Sequence, residues 1–151
     1  MHEQATKARA ATAQVWQNVA EGQALPQLRI EFSITRIVAG ALATRDYQPV
    51  HHDADLARRN QAEHVFSNTH TTAGCLERLV LEWAGADAFL RKLSLRLGVS
   101  HYPDDTLILD GTVRAIDQAT RRVTVDAVGR NRLGGHVTVE LVVQFPESVN
   151  G

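Results

Sequence analysis

The chain of 151 residues is long enough for a single domain to bury a hydrophobic core without disulfide bonds or bound metal. Its 16 Lys and Arg residues are balanced by 17 Asp and Glu residues, for a net charge of −1. This balance excludes a general electrostatic attraction to nucleic acid or to an anionic membrane, so local groups must hold any anionic ligand.

The single cysteine and the hydropathy pattern indicate the compartment. Cys75 is the only cysteine, so an internal disulfide is impossible and a reducing environment is expected. No apolar run reaches the roughly 18 residues that a membrane span requires, and the polar first residues lack the apolar core of a secretory signal. We therefore expect a cytoplasmic protein that binds neither membrane nor nucleic acid.

The N-terminal segment has a helical pattern. Residues 5–20 are rich in alanine and carry apolar residues four positions apart, which predicts an amphipathic helix. Gly22 and Pro26 are expected to end it. Trp16 lies beside the apolar stripe and can pack either on its own domain or on a partner subunit.

A strand and a loop are predicted next. Residues 28–38 alternate apolar and polar side chains over most of their length, the period of a half-buried strand. The alternation then slips, and Gly40 follows, so we expect a bulge or bend before the loop. Asp53 can cap a short helix that ends at Asn60.

The central feature is a long helix over residues 69–84. Ser67 or Asn68 can cap its start, and Gly85 fits its C-terminal cap. Small residues in its first turn allow a ligand to approach the helix N-terminus, where free N–H groups carry a partial positive charge. Its apolar stripe, at steps of three and four, consists of Thr72, Cys75, Leu76, Leu79, Val80 and Trp83.

Four strand-like segments follow without another helix, and short turns join the last three into a predicted antiparallel meander. The segments are residues 93–99, 106–116, 122–130 and 137–145. One strand, one long buried helix and a run of strands predict an α+β hot-dog domain, in which a curved antiparallel sheet wraps around the helix. Because an exposed sheet edge favours aggregation, we expect pairing with another subunit.

The predicted domain limits follow from these elements. No internal repeat or linker interrupts the strands and the central helix, so one hot-dog domain is assigned to residues 27–146. Residues 1–26 form a predicted N-terminal helical extension. Residues 147–151 form a C-terminal tail.

The loop after the first strand brings an acid close to an imidazole. Pro49 lies between Asp46 and His51, fixes its own φ and biases Gln48 away from helix, so the chain bends between the two ionisable groups. A carboxylate and a histidine aimed at one point can share a water, as needed for adding water to a double bond or removing it. On spacing alone, a polar surface turn is the alternative.

The loop spacing resembles a known motif. Asp46, Pro49, His51 and Asp53 match the pattern of the MaoC-like enoyl-CoA hydratases, the R-specific hydratase family, and the chain resembles that family over about residues 40–115. The resemblance implies hydration of a trans-2-enoyl-CoA thioester, with Asp46 and His51 as catalytic residues. It implies no cofactor, because coenzyme A is part of the substrate.

The same resemblance assigns the supporting residues. Gln48 stands where the family has an asparagine that orients the loop, and Pro49 sets the bend. Asn68-Thr69 stands where the family has a His-Gly pair whose glycine N–H is an oxyanion donor. The backbone N–H groups of Thr69 and His70 are therefore assigned to the thioester oxygen.

The remaining histidines have other expected roles. His52 follows His51 directly, and adjacent residues in an extended loop point in opposite directions, so only one of the two is expected to reach the water. The family spacing selects His51. The others have no repeated metal-ligand spacing, so no metal site is expected. They include His64, His70, His101 and His136.

Further parts of the chain resemble the small subunit of the two-component MaoC-like hydratases of bacterial steroid side-chain degradation. They imply a bulky steroid enoyl-CoA substrate and a second hot-dog subunit, in a heterodimer or heterotetramer. Within them, Arg130 and Asn131 are assigned to coenzyme A. The matching segments are residues 43–46, 50–53, 96–99, 128–131 and 133–134.

Two other functions remain open. A hot-dog thioesterase would use an acid to activate water against the thioester carbon. A non-catalytic acyl-CoA-binding subunit would leave the chemistry to its partner. The spacing of Asp46 and His51 favours the hydratase over the first, and the presence of both residues argues against the second.

Overall fold

A computed structural model describes residues 16–147, which form one five-stranded antiparallel sheet and three α-helices. The strand order is β1-β3-β4-β5-β2. All four neighbouring pairs are antiparallel, and the last three strands form the predicted meander. The strands are β1 (Leu28–Phe32), β2 (Phe89–Leu97), β3 (Asp105–Asp117), β4 (Arg122–Asn131) and β5 (Gly134–Gln144).

The core lies between the sheet and the long helix. The helices are α1 (Ile34–Ala43), α2 (Ala54–Arg59) and α3 (Thr69–Ala84). One face of α3 is buried against alternate residues of the strands, as the helical and strand periods require. Asn68 caps α3, and Asp53 caps α2 by accepting the N–H of Leu56 at 2.9 Å. The predicted α+β hot-dog fold is confirmed.

The strand predicted over residues 28–38 is wrong beyond Phe32, because α1 begins at Ile34. The hydroxyl of Ser33 accepts the N–H of Arg36 at 3.2 Å and so caps the helix. Ile37 and Ala41, four residues apart, are both buried. The β-branched residues of this segment favour a strand, but the Ser33 cap and tertiary packing stabilise the helix.

Gly40 therefore lies inside a helix and does not mark a bulge. A Cβ on this residue would lie 2.4 Å from Oγ1 of Thr71 on α3. Only a glycine permits this approach of α1 to α3 without a shift. The contact places the end of α1, and the loop that follows it, beside the start of α3.

Strand β2 is displaced from the predicted residues 93–99. It runs from Phe89 to Leu97, and its register shifts between Leu90 and Lys92. Its first three leucines are only partly buried and Leu97 is exposed, because β2 is an edge strand of the sheet. Val99 lies beyond the strand end.

Residues 5–15 of the helix predicted over residues 5–20 lie outside the described residues, and in the described end only a 3-10 turn, Trp16–Asn18, is formed. Trp16 packs against Phe145, with ring centroids 5.4 Å apart, so it contacts its own domain. Leu25 belongs to the core. Between residues 16 and 147, no helix is long and apolar enough to cross a membrane.

Candidate active site

Asp46 is fixed by the end of α1. Arg45 adopts a left-handed conformation with φ of 56°, and its N–H donates to the carbonyl of Leu42 at 3.1 Å. The N–H of Asp46 donates to the carbonyl of Ala41 at 2.9 Å. These two bonds form a Schellman motif, which ends α1 and holds the backbone of Asp46.

His51 reaches the same point from a 3-10 turn, Pro49–His51. Its buried ring has Nδ1 at 2.8 Å from the carbonyl oxygen of Phe66. A carbonyl only accepts, so Nδ1 carries the proton and Nε2 of the neutral ring is an acceptor. Nε2 lies 3.3 Å from Oδ2 of Asp46. His52 is exposed, so the structure brings His51 and not His52 to the acid.

Asn68 joins the acid to the central helix. Its Nδ2 donates to Oδ2 of Asp46 at 3.0 Å and to Oγ1 of Thr44 at 2.8 Å, while its Oδ1 accepts the N–H of Thr71 at 3.0 Å. The bond from Asn68 is the main cause that lowers the pKa of Asp46, against the opposing effect of burial. Asp46 is therefore ionised at neutral pH.

The sequence pattern identified Asn68 as one of two candidate caps, with Ser67, and missed its contact with Asp46. The two residues are 22 positions apart, and no local pattern connects them. A capping asparagine directly before the proposed oxyanion donor was the only available signal.

The start of α3 leaves two backbone donors free. The N–H of Thr71 is taken by the Asn68 side chain, and that of Thr72 by the Asn68 carbonyl at 3.2 Å. Among residues 16–147, the N–H groups of Thr69 and His70 have no acceptor. Free N–H groups at a helix N-terminus stabilise negative charge.

Asp46, His51 and Thr69 line one cleft of about 340 Å³. Gln48 also lines it, and its backbone N–H donates to Oδ1 of Asp46 at 3.3 Å. His70 lies one residue beyond the cleft lining. The other lining residues come from the loop, from the segment before α3, from the end of β2 and the segment after it, and from β5: Val50, Phe66, Ser67, Asn68, Leu97, Gly98, Val99, Ser100 and His136.

Arg130 and Asn131 lie outside the cleft lining. Arg130 forms an ion pair with Asp110. Asn131 donates from Nδ2 to the carbonyl of Ser100 at 2.9 Å. Asn131 thus supports the segment that lines the cleft, and the assignment of both residues to coenzyme A stays a prediction.

The geometry of the pair suits the binding of one water. The carboxylate of Asp46 is an acceptor, Nε2 of His51 is an acceptor whenever Nδ1 carries the only ring proton, and a water molecule has two hydrogens to donate. Since Oδ2 of Asp46 and Nε2 of His51 are only 3.3 Å apart, such a water would lie in the cleft in front of both groups, with its oxygen free to attack. The donor N–H of Thr69 lines the same cleft.

Comparison with known proteins shows the family of the chain. A relative from Mycobacterium tuberculosis, named 3-oxo-4,17-pregnadiene-20-carboxyl-CoA hydratase beta subunit, is 42% identical over 127 residues, covering 84% of this chain and 97% of the relative. The chain belongs to the MaoC-like hydratase family. No protein-family model matches the sequence.

Solved structures show the same fold for this MaoC-like hydratase. A chain of the ChsH1–ChsH2 complex from Mycobacterium tuberculosis has a TM-score of 0.81 and 41% identity, over 85% of this chain and 99% of that one. The (R)-hydratase from A. caviae involved in PHA biosynthesis has a TM-score of 0.80 at 22% identity, over 86% and 99%. The second likeness concerns the fold alone.

Proposed function

We propose that this chain is the catalytic subunit of a hydratase that adds water to a trans-2-enoyl-CoA thioester of the steroid side-chain type. The observation that carries the proposal is the 3.3 Å approach of Asp46 Oδ2 to His51 Nε2, in the cleft that Thr69 also lines. The relative's name, a pregnadiene-carboxyl-CoA hydratase subunit, supports the steroid substrate.

Hydration requires a base for the water, a proton for the α-carbon and a donor for the thioester oxygen. Asp46 and His51 hold the water, and its oxygen forms the new bond to the β-carbon as one O–H bond breaks. The released proton passes to the α-carbon through the same pair. The N–H of Thr69 donates to the carbonyl oxygen while negative charge develops there.

Two parts of the site orient the water. The N–H of Gln48 and Nδ2 of Asn68 donate to different oxygens of Asp46, which leaves the carboxylate ionised and fixed in direction. The Phe66 carbonyl fixes the tautomer of His51. This chemistry uses no cofactor beyond the coenzyme A of the substrate.

A second hot-dog subunit is the proposed partner, in a heterodimer or heterotetramer. The relative with 41% identity was solved as the two-component ChsH1–ChsH2 complex. Within residues 16–147, β2 is an edge strand of the sheet with exposed Phe89 and Leu97, and Leu97 also lines the cleft. A partner strand on this edge would cover apolar surface beside the substrate. We place the complex in the cytoplasm, where the Cys75 thiol stays reduced.

The proposal is tested with a steroid enoyl-CoA that has a shortened side chain, and with crotonyl-CoA as a small comparison. The chain is assayed alone and co-expressed with a candidate second hot-dog subunit. Loss of enoyl-thioester absorbance without release of free thiol supports the hydratase. Release of free thiol would indicate a thioesterase. Unchanged absorbance in the complex would contradict catalysis by this chain.

A further inference from the structure

A buried polar pair, Thr72 and His136, connects the first turn of α3 to the wall of the cleft that Asp46 and His51 line, and it has no role in the water chemistry. The exposed fractions are 1% for Thr72 and 2% for His136. Nδ1 of His136 is 2.7 Å from the carbonyl oxygen of Val99, and Nε2 is 2.9 Å from Oγ1 of Thr72. Since the carbonyl only accepts, Nδ1 carries the proton and Nε2 accepts the hydroxyl hydrogen of Thr72.

The imidazole joins three parts of the cleft. Thr72 lies in the first turn of α3, three residues after Thr69. Val99 belongs to the wall segment after β2, and His136 belongs to β5. The backbone adds two bonds, from the N–H of Gly98 to the carbonyl of His136 at 2.7 Å and from the N–H of Val99 to the carbonyl of Gly135 at 3.0 Å.

Burying these polar groups is costly unless every hydrogen bond is satisfied, and a pair of apolar side chains would fill the same space at lower cost. The hydrogen bonds of the polar pair are directional and fix the orientation of the groups that they join, whereas apolar packing is not directional. A hydroxyl and an imidazole held at both ring nitrogens fix the distance between the first turn of α3 and the cleft wall. The oxyanion donor of Thr69 is on that turn.

We propose that Thr72 and His136 are positioning residues that hold the Thr69 N–H against the cleft wall where the thioester oxygen becomes negative. This inference rests on the proposed hydratase function. A donor that stabilises the transition state must be held closely, because a displacement of about 1 Å can reduce the rate about 100-fold. The bound substrate depends less on that bond, so the pair acts on kcat more than on KM.

The test uses the co-expressed complex and variants that differ by few atoms. Thr72→Val removes the hydroxyl but keeps the side-chain shape, and Thr72→Ser keeps the hydroxyl. We expect Thr72→Val to lower kcat by about 10- to 100-fold with little change in KM, and Thr72→Ser to restore most of it. Thr124→Val, the same change on β4, is expected to leave kcat unchanged.

A double-mutant cycle with His136→Gln provides the second measurement. If the two residues act as one unit, the double variant loses about as much kcat as either single variant. Three outcomes would overturn this inference but not the proposed function. They are a wild-type kcat in Thr72→Val, a kcat in Thr72→Ser as low as that in Thr72→Val, and additive losses of kcat in the cycle. A wild-type complex that does not hydrate the substrate would overturn the proposed function together with it.

Discussion

The side chain of Asn68 holds the carboxylate of Asp46 with its nitrogen at 3.0 Å and caps α3 at Thr71 with its oxygen, also at 3.0 Å. One residue therefore sets the position of the acid relative to the helix N-terminus that is proposed to receive the thioester oxygen. Because the two bonds use opposite ends of the amide, substitutions can separate the two roles.

Asn68→Asp keeps an acceptor for the cap but replaces a donor to Asp46 with a like charge. Asn68 lowers the pKa of Asp46 in the wild type, so this change raises it. Since the proposed active form has Asp46 ionised, the acid limb of the kcat/KM pH profile is expected to move to higher pH. Because Asn68 is buried, the new charge beside Asp46 also costs stability at neutral pH, so thermal unfolding is expected at a lower temperature than in the wild type.

Asn68→Ala is the comparison, because it removes both bonds. It should move the acid limb in the same direction and also lower stability by about 1 kcal/mol through loss of the cap. An acid limb that stays in place in both variants would show that Asn68 does not control the ionisation of Asp46.

Two glycines give a matched pair of substitutions to alanine. At Gly98, a Cβ would lie 2.3 Å from the carbonyl oxygen of Gly135, so the cleft wall must shift. We expect Gly98→Ala to destabilise the protein by about 1–3 kcal/mol and to lower kcat. At Gly74, inside α3, a Cβ meets nothing within 4 Å. Gly74→Ala should stabilise the isolated chain by up to about 1 kcal/mol.

Urea denaturation and hydration rates measure both variants. If Gly98→Ala has wild-type stability and rate, the wall tolerates the extra methyl group and its close packing is not required. A loss of stability in Gly74→Ala would contradict the open space beside that residue.

His101 should make stability depend on pH. Its ring is fully buried, and burial, with the nearby His136, lowers the pKa of His101 from 6.5 to about 4. In the unfolded chain, His101 therefore binds a proton as the pH falls through 6.5. In the folded chain it binds that proton only at about pH 4. The folded state is expected to lose stability as pH falls through this window, by about 3 kcal/mol at roughly 1.4 kcal/mol per pKa unit.

Denaturation at several pH values tests this with His101→Phe, which keeps an aromatic ring beside Phe32. The variant should lose much of the dependence between pH 6.5 and 4. Burial also lowers the pKa of His136, which accounts for the remaining slope. His52→Phe, at an exposed position, serves as the control. A wild-type slope in His101→Phe would show that another group titrates there.

Local patterns predicted most of the fold because the signals are contained within single elements. The apolar stripe and caps of α3 and the alternation of β3, β4 and β5 gave their positions closely. Helix α1 was missed because its β-branched residues favour a strand, while its helical state depends on Ser33 and on packing of Gly40 against Thr71. That packing partner is 31 residues away, beyond any local pattern.

Contacts of the candidate site were predicted only where its residues are close in sequence. Asp46 and His51 lie in one loop, so their spacing identified them together. The contacts of Asn68 with Asp46 and of His136 with Thr72 join segments that are distant in sequence, so no periodic pattern of residues predicts them. The resemblance to a family supplied roles for residues but not these bonds.

The most direct test of the proposed dyad is the hydration rate of Asp46→Asn in the complex with the second subunit. The substitution keeps the shape of the side chain but removes the negative charge that is proposed to hold the water. We predict that kcat falls by about 10²–10⁴-fold with no loss of folding or complex formation. Hydration at the wild-type rate in a folded Asp46→Asn complex would contradict the assignment of the active site.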